Sequence, residues 1–155
     1  MAKVLFVCLG NICRSPTGES VLQHLVDEQG LTEEFEIDSA GTAGYHVGSR
    51  ADGRMREHSA RRGYDLLSRA RKLTRGDLEL FDLVIAMDRE NYQNICSIHS
   101  EPTATVKMLS EFLGGEWPHD VPDPYYGGAD GFEYVLDMIE AACPNIIEFC
   151  VQRSD

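Results

Sequence analysis

Short apolar runs alternate along the chain with stretches in which apolar side chains recur every three or four residues, and that alternation outlines the elements. "KVLFVC", residues 3–8, is apolar, rich in branched side chains and stops at a turn, which predicts a buried strand. After "LGNICR", Ser15 reads as an N-cap and Pro16 as the first helical residue. Val21, Leu22, Leu25 and Val26 then fall at helical spacing, and Gly30 is the expected stop. "FEIDSAG" predicts a second strand ending at a glycine turn, and "RADGRMREHSARRGY" a helix with a basic outer face. "FDLVIAMD" is a further buried strand, followed by a helix through "RENYQNICSI"; "TATVKML" is a short edge strand. The last stretch, "GADGFEYVLDMIEAACPNIIEFCVQRSD", is helical, with Phe132, Val135, Leu136 and Ile139 in phase. Pro144 interrupts it. A proline inside a helix costs ~3 kcal/mol, so a kink or break is expected near Cys143, with Ile146 to Val151 continuing beyond.

Strands alternating with helices imply an α/β fold: a three-layer domain with a small, four-stranded, mostly parallel sheet and helices on both faces. The 155 residues are read as one domain, 1–155. Its connections should be right-handed, and its site should lie beyond the carboxyl ends of the strands. The loop between the first strand and the first helix sits at such an end.

The formal net charge of -12 argues against a nucleic-acid backbone or an anionic membrane as partner. It also means that any phosphate site must be a local positive spot. "MAKVLFVCLG" is too short for the apolar core of a signal peptide, and no later stretch approaches a membrane span. Five cysteines, an odd number, point to free thiols in a reducing compartment, the cytoplasm.

Strand, glycine-containing loop and helix N-terminus together make an anion site, because loop N–H groups and the helix dipole converge there. The nucleotide-binding versions do not fit, since neither GK[ST] nor GxGxxG is present. Here a thiol, Cys8, stands at the strand end, beside a helix N-terminus and Arg14, a setting that favours the reactive thiolate. The planar fork of Arg14 can grip two phosphate oxygens. Ser15 can donate to the sulfur, and Asn11 tolerates the left-handed backbone that a tight cradle needs. The inferred chemistry is phosphoryl transfer to sulfur, then hydrolysis of a phosphocysteine. A zinc half-site built on Cys8 and Cys13 has the wrong spacing and no second cysteine pair, so no metal and no cofactor are expected.

"VCLGNICRSP" resembles the signature of the low-molecular-weight protein tyrosine phosphatases, and the resemblance extends through "DSAGT", "FDLVIAMD" and "VPDPYYGG" in family order. It implies Cys8 as nucleophile, Arg14 as phosphate-binding arginine and Ser15 as hydrogen-bond donor to the thiolate. Asn11 would be structural in the loop, and Ser39 would belong to the polar network behind it. Leu9, Gly10, Asn11, Ile12, Cys13 and Arg14 would form the phosphate cradle.

A phenol leaves readily only if a proton reaches its oxygen, since tyrosine's pKa is ~10, so a general acid is expected. "DVPDPYYGG" offers Asp120 and Asp123; the resemblance selects Asp123. It also puts Tyr125 and Tyr126 on one wall of the entrance and Tyr45 on the other. Catalysis by this pair needs an ionised thiol and a protonated carboxyl, which predicts a rate maximum on the acid side of neutrality. By the same resemblance, Cys13 can form a reversible disulfide with Cys8 that protects the nucleophile. The chain departs from the family at Ser68, where a histidine usually supports the loop, and at "SRADGR", where a proline-rich stretch is usual. The second departure should loosen or reshape that rim and lets Arg50 bias substrate choice.

The implied partners are phosphotyrosine-containing proteins, met by a monomer with at most weak self-association. Three rival readings stand beside this one. An arsenate reductase would use Cys143 and Cys150 as a shuttle, but seven helical residues span ~10.5 Å, too far for a disulfide without unwinding at Pro144. A protein-arginine phosphatase of the same scaffold tends to have threonine where this chain has Ile12. A non-enzymatic anion-binding module would need neither the thiol nor the acid. Finally, "RMREHSARRGYDLLSRARKLTR" reads either as a solvated helix surface or as a docking face for acidic phosphopeptides.

Overall fold

The computed structural model, which describes residues 1–154, has one sheet of four strands. These are β1 (Ala2–Cys8), β2 (Phe35–Gly41), β3 (Leu83–Ala86) and β4 (Thr105–Met108), in the order β2-β1-β3-β4 and parallel throughout. The helices are α1 (Arg14–Glu28), α2 (Gly53–Ala60), the single turn α3 (Asp77–Leu80), α4 (Arg89–Ile98) and α5 (Ala129–Ser154). Strand β1 is central, in register with β2 from Ala2↔Phe35 to Cys8↔Gly41 and with β3 from Val4↔Leu83 to Val7↔Ala86.

Each face of the sheet has its own core. Val4, Phe6 and Cys8 pack with α1, α2 and α5, through residues such as Leu22, Met55, Val135, Leu136 and Ile139. Leu5 and Val7 pack on the other side with Val84, Ala86, Leu78 of α3 and Ile95 of α4. Burial on both faces explains why β1 is apolar without alternation. The chain leaves β1 on one side to make β2 and returns on the other to make β3. The loop after β1 therefore opens into the crevice at the point where strand order reverses.

Three helix boundaries differ from the sequence-based expectation. Helix α1 begins at Arg14, with Cys13 as the flanking residue, so Ser15 and Pro16 lie inside its first turn. Proline is tolerated there because the N–H it lacks would have no intrahelical partner. The Ser15 hydroxyl is thus released from capping and turns to other partners. Helix α2 is shorter than its basic pattern: Asp52 caps its start, accepting from the N–H groups of Arg54 and Met55, and Gly63 at φ 89 follows its end. Helix α5 runs without a break through Pro144. Pro144 is exposed while Ala142, Cys143, Ile146 and Ile147 around it are buried. Packing on both sides of the proline outweighs the hydrogen bond it cannot donate to Glu140.

Two glycines let backbone and side chains approach closely around β1. A Cβ on Gly18 of α1 would lie 2.6 Å from the Phe6 ring, so the helix sits directly on the strand. A Cβ on Gly41, the last residue of β2, would lie 2.7 Å from the Leu9 carbonyl oxygen, where the loop after β1 passes.

Candidate active site

The loop from Cys8 to Arg14 is fastened from outside by its own carbonyls. Those of Cys8, Leu9 and Ile12 accept from the backbone N–H groups of Thr42, Ala43 and Asp52, at 2.9, 2.9 and 2.8 Å. In a trans peptide N–H and C=O point opposite ways, so the N–H groups of Leu9, Gly10 and Cys13 face away from that scaffold, into the loop. Asn11 supplies the left-handed residue, at φ 58. The result is a ring of donors at the N-terminus of α1, an anion cradle.

Behind the cradle runs a polar chain with a defined direction. The Cys8 Sγ and Ser15 Oγ atoms are 3.0 Å apart. Asn11 Nδ2 donates to Ser15 Oγ at 2.8 Å and to Ser39 Oγ at 3.0 Å, while its Oδ1 accepts from the Arg71 N–H at 2.9 Å. Ser39 Oγ donates to Glu19 Oε1 at 2.6 Å, and the Ser68 side chain also acts on the Glu19 carboxylate, favouring its charged form. Because Ser39 gives its proton to Glu19 and Asn11 gives both of its protons to the serines, the one Ser15 proton is left for Cys8 or for the Ala40 carbonyl. The sulfur is the nearer, at 3.0 Å against 3.4 Å.

Arg14 is buried to 2 % exposure and held by named partners. Its Nη1 donates to Asp88 Oδ2 at 2.6 Å and to the Val121 carbonyl at 3.0 Å, and its Nη2 lies 3.6 Å from Asp123 Oδ2. Burial works against its charge, but Cys8, Asp88 and Asp123 nearby raise its proton affinity above the ordinary value. Asp88 lies two residues beyond the end of β3 and also caps α4, accepting from Asn91 N–H at 2.7 Å with its other oxygen.

One pocket gathers Cys8, Leu9, Gly10, Ile12, Cys13 and Arg14 from the loop with Asp123, Tyr125 and Tyr126 from one wall and Tyr45 and His46 from the other. Asn11 and Ser39 lie behind it, buried. Tyr45 and Tyr126 are 78% and 91% exposed and so belong to the rim, with Tyr125 edge-on to Tyr126 at 4.9 Å between centroids. Asp123 caps the short 3-10 turn Pro124–Tyr126, its Oδ1 accepting from Tyr125 N–H at 3.0 Å. Asp120, the other carboxylate of that segment, instead accepts from Arg89 N–H at the start of α4, at 2.9 Å. Burial, then the charges of Asp52, Cys8 and Asp123, push the Cys13 thiol well above its ordinary range, which keeps it protonated.

The rim at "SRADGR" is braced by hydrogen bonds. Asp52 caps α2 while its own N–H ties to Ile12, and Arg54 hydrogen-bonds both Asp52 and the Tyr125 carbonyl. Arg50 makes a backbone bridge with Arg69 and lines a separate groove beside Arg56 and Leu67. Cys143 and Cys150 are buried on α5, a continuous helix that holds them two turns apart.

Sequence reasoning passed over His46, Asp88, Glu19 and Arg54. Asp88 carried a signal, an acidic residue at the carboxyl end of a buried strand, and His46 adjoins Tyr45. Glu19 and Arg54 carried none, because each is an unremarkable polar residue in a helix.

The family model for low molecular weight phosphotyrosine protein phosphatase matches residues 3–154. The chain is 41% identical over 151 residues to a low molecular weight protein-tyrosine-phosphatase of Streptomyces coelicolor, covering 94% of this chain and 91% of that one. Its fold is similar to that of a protein tyrosine phosphatase from Entamoeba histolytica, with a TM-score of 0.91, 38% identity and full coverage of both chains. It is also similar to a Drosophila arginine phosphatase, with a TM-score of 0.88 and 30% identity over 95% of this chain and 96% of that one. With the family model matched over residues 3–154 and the fold shared with these relatives, this chain belongs to the low molecular weight phosphotyrosine protein phosphatase family.

Proposed function

We propose that this protein is a protein tyrosine phosphatase working through a phosphocysteine, with residues 1–155 as one phosphatase domain. The observation that carries the reading is the pocket in which Cys8, backed by Ser15 at 3.0 Å, shares one lining with Arg14 and Asp123. A lone pair on the Cys8 sulfur forms the S–P bond as the P–O bond to the phenol breaks. The phosphate is held by the loop N–H groups and by the Nε–Nη2 edge of Arg14, whose Nη1 is committed to Asp88 and Val121. Asp123 gives the departing oxygen its proton. Oδ2 is the oxygen for this, because Oδ1 already accepts from Tyr125. In the second half the Asp123 carboxylate takes a proton from water, the water oxygen bonds to phosphorus, and the S–P pair returns to Cys8.

Tyrosine is favoured over arginine as the phosphorylated side chain because apolar Ile12 and the tyrosines of the two walls suit an aromatic ring. The substrates are phosphotyrosine-containing proteins and the enzyme acts as a monomer. The odd cysteine count supports a cytoplasmic setting. Cys13, a protonated thiol in the same lining as Cys8, is the partner for a reversible protective disulfide formed when peroxide takes up the two electrons.

Phosphate release from matched phosphotyrosine and phosphoarginine peptides, with chelator present, tests the whole reading. Release from phosphotyrosine should exceed that from phosphoarginine, vanish in Cys8→Ser, and fall roughly 10²–10³-fold in Asp123→Asn. Peroxide should abolish it and a thiol reductant restore it. Retained release in Cys8→Ser, or a preference for phosphoarginine, would overturn the assignment.

A further inference from the structure

Asp123 and Tyr125 stand on a loop segment outside the sheet, so something must fix that segment relative to Cys8. Its internal bonds are local: Tyr125 N–H to Asp123 and Gly127 N–H to the Pro124 carbonyl. Among the described residues, the hydrogen bond that reaches segment 123–127 from outside comes from Arg54, whose Nη2 donates to the Tyr125 carbonyl at 2.9 Å. The same guanidinium is held by Asp52, through Nε at 3.2 Å and Nη2 at 3.0 Å. Asp52 in turn is tied to the phosphate loop by its own N–H on the Ile12 carbonyl, at 2.8 Å. The guanidinium carbon also lies 5.4 Å from the Tyr125 ring centroid and 5.0 Å from that of Phe132 on α5, which is itself stacked on His58.

We infer that Arg54 is a positioning residue for the phosphatase reaction, clamping the loop of Asp123 and Tyr125 to the phosphate loop through Asp52 and so setting where the proton donor stands relative to the nucleophile. The inference rests on the phosphatase reading given above. A continuous path of bonds runs from Ile12 through Asp52, Arg54 and Tyr125 to Asp123, linking the cradle to the acid without passing through the pocket. Arginine suits this clamp because one planar group makes three hydrogen bonds in a fork and lies against two rings, whereas a lysine ammonium is a point donor. Arg54 does not line the pocket, so it acts through Asp123 and Tyr125 and not on the phosphate.

The consequence depends on the leaving group. A misplaced acid slows the expulsion of a basic phenol, whereas an acidic nitrophenol leaves with little help from a proton. A displaced Tyr125 wall, by contrast, weakens the grip on either aryl ring about equally. The ratio of kcat/KM for 4-nitrophenyl phosphate to that for phenyl phosphate therefore separates loss of proton donation from general damage to the rim.

The experiment measures both substrates with wild type, Arg54→Met, Arg54→Lys, Asp123→Asn and Cys8→Ser. Methionine keeps the stem over Phe132 and removes the fork. In Arg54→Met, kcat/KM for phenyl phosphate should drop by about 10–100-fold, the scale set by roughly 1 Å of misplacement. The nitrophenyl-to-phenyl ratio should rise about tenfold toward that of Asp123→Asn, and Arg54→Lys should fall between methionine and wild type. An unchanged ratio in Arg54→Met, whether both rates fall together or neither moves, would overturn the clamp. If Arg54→Met does not fold, Arg54→Lys decides alone, because it retains charge and stem without the fork. Activity of wild type lost in Cys8→Ser, with an unmoved ratio in the Arg54 variants, sinks this inference only; an inactive wild type sinks the phosphatase reading beneath it.

Discussion

Glu19 closes the polar chain that begins at the Cys8 sulfur, and its charge gives that chain its direction. The Ser39 hydroxyl donates to it, which leaves the Ser39 oxygen to accept from Asn11 and the Ser15 proton to face sulfur. The same position half-buries the Glu19 carboxyl, and burial pushes its pKa up against the opposing pull of its bond from Ser39 and of the nearby Ser68 side chain. A carboxyl whose folded-state pKa lies above its unfolded value of ~4.3 binds its proton more tightly when folded, so its ionisation weakens the fold as pH rises through the folded pKa. Glu19→Gln mimics the protonated form. At pH 7 it should unfold at higher urea than wild type. The gap should close as the solution is acidified and wild-type Glu19 takes up its own proton. Urea midpoints at pH 7 and pH 4 check this; a gap independent of pH would remove burial of the charge as the cause.

Helix α5 sets local propensity against tertiary burial. Its sequence contains a helix breaker, yet the helix continues from Ala129 to Ser154. The two effects oppose one another at Pro144, and the buried side chains at 142, 143, 146 and 147 prevail. Since Pro144 is exposed, an alanine there meets no neighbour that must move, and its N–H can serve the Glu140 carbonyl. Pro144→Ala should therefore stabilise the protein by about 1–3 kcal/mol, read as a rise in Tm, with kcat/KM unchanged. A lower Tm would show that the proline fits a bend the packing requires. The same continuity holds Cys143 and Cys150 two turns apart. Burial pushes the Cys150 thiol up to about 11 and the Cys143 thiol beyond the ordinary thiol range, so neither is a ready thiolate.

Charge acts across the whole molecule. The basic stretch after residue 53 is largely taken up by internal pairs: Arg61 with Glu57, Arg62 with Glu133, Asp137 and Glu140 of α5, and Arg71 with Asp38 and Asp77. These cations staple segments together and leave the net charge of -12 dominant at a distance. The phosphate cradle is then a positive spot inside a repulsive field. Raising ionic strength from ~10 mM, where the screening length is ~30 Å, to ~150 mM, where it is ~8 Å, should raise kcat/KM for a dianionic aryl phosphate about two- to fivefold. Rates followed against sodium chloride concentration check it; a steady fall would mean that local cations steer the substrate.

The phosphate loop is legible in the sequence because its chemistry is local. Thiol, turn residue, guanidinium and helix N-terminus fall within one short stretch, and a strand-loop-helix places them together whatever the rest of the chain does. Strands β2 and β3 and helix α4 are legible for the same reason, since burial on both faces or capping by a neighbour writes itself into consecutive residues. The resemblance singles out Asp123 over Asp120, whereas local chemistry leaves the two alike; the fold is what separates them, engaging Asp120 with α4 and Asp123 with Arg14 and Tyr125. Folding likewise recruits Glu19, Ser68, Asp88 and Arg54, residues whose partners are distant in the chain. It also carries α5 through Pro144, because the free energy of packing against the sheet is a sum over contacts that no local window contains.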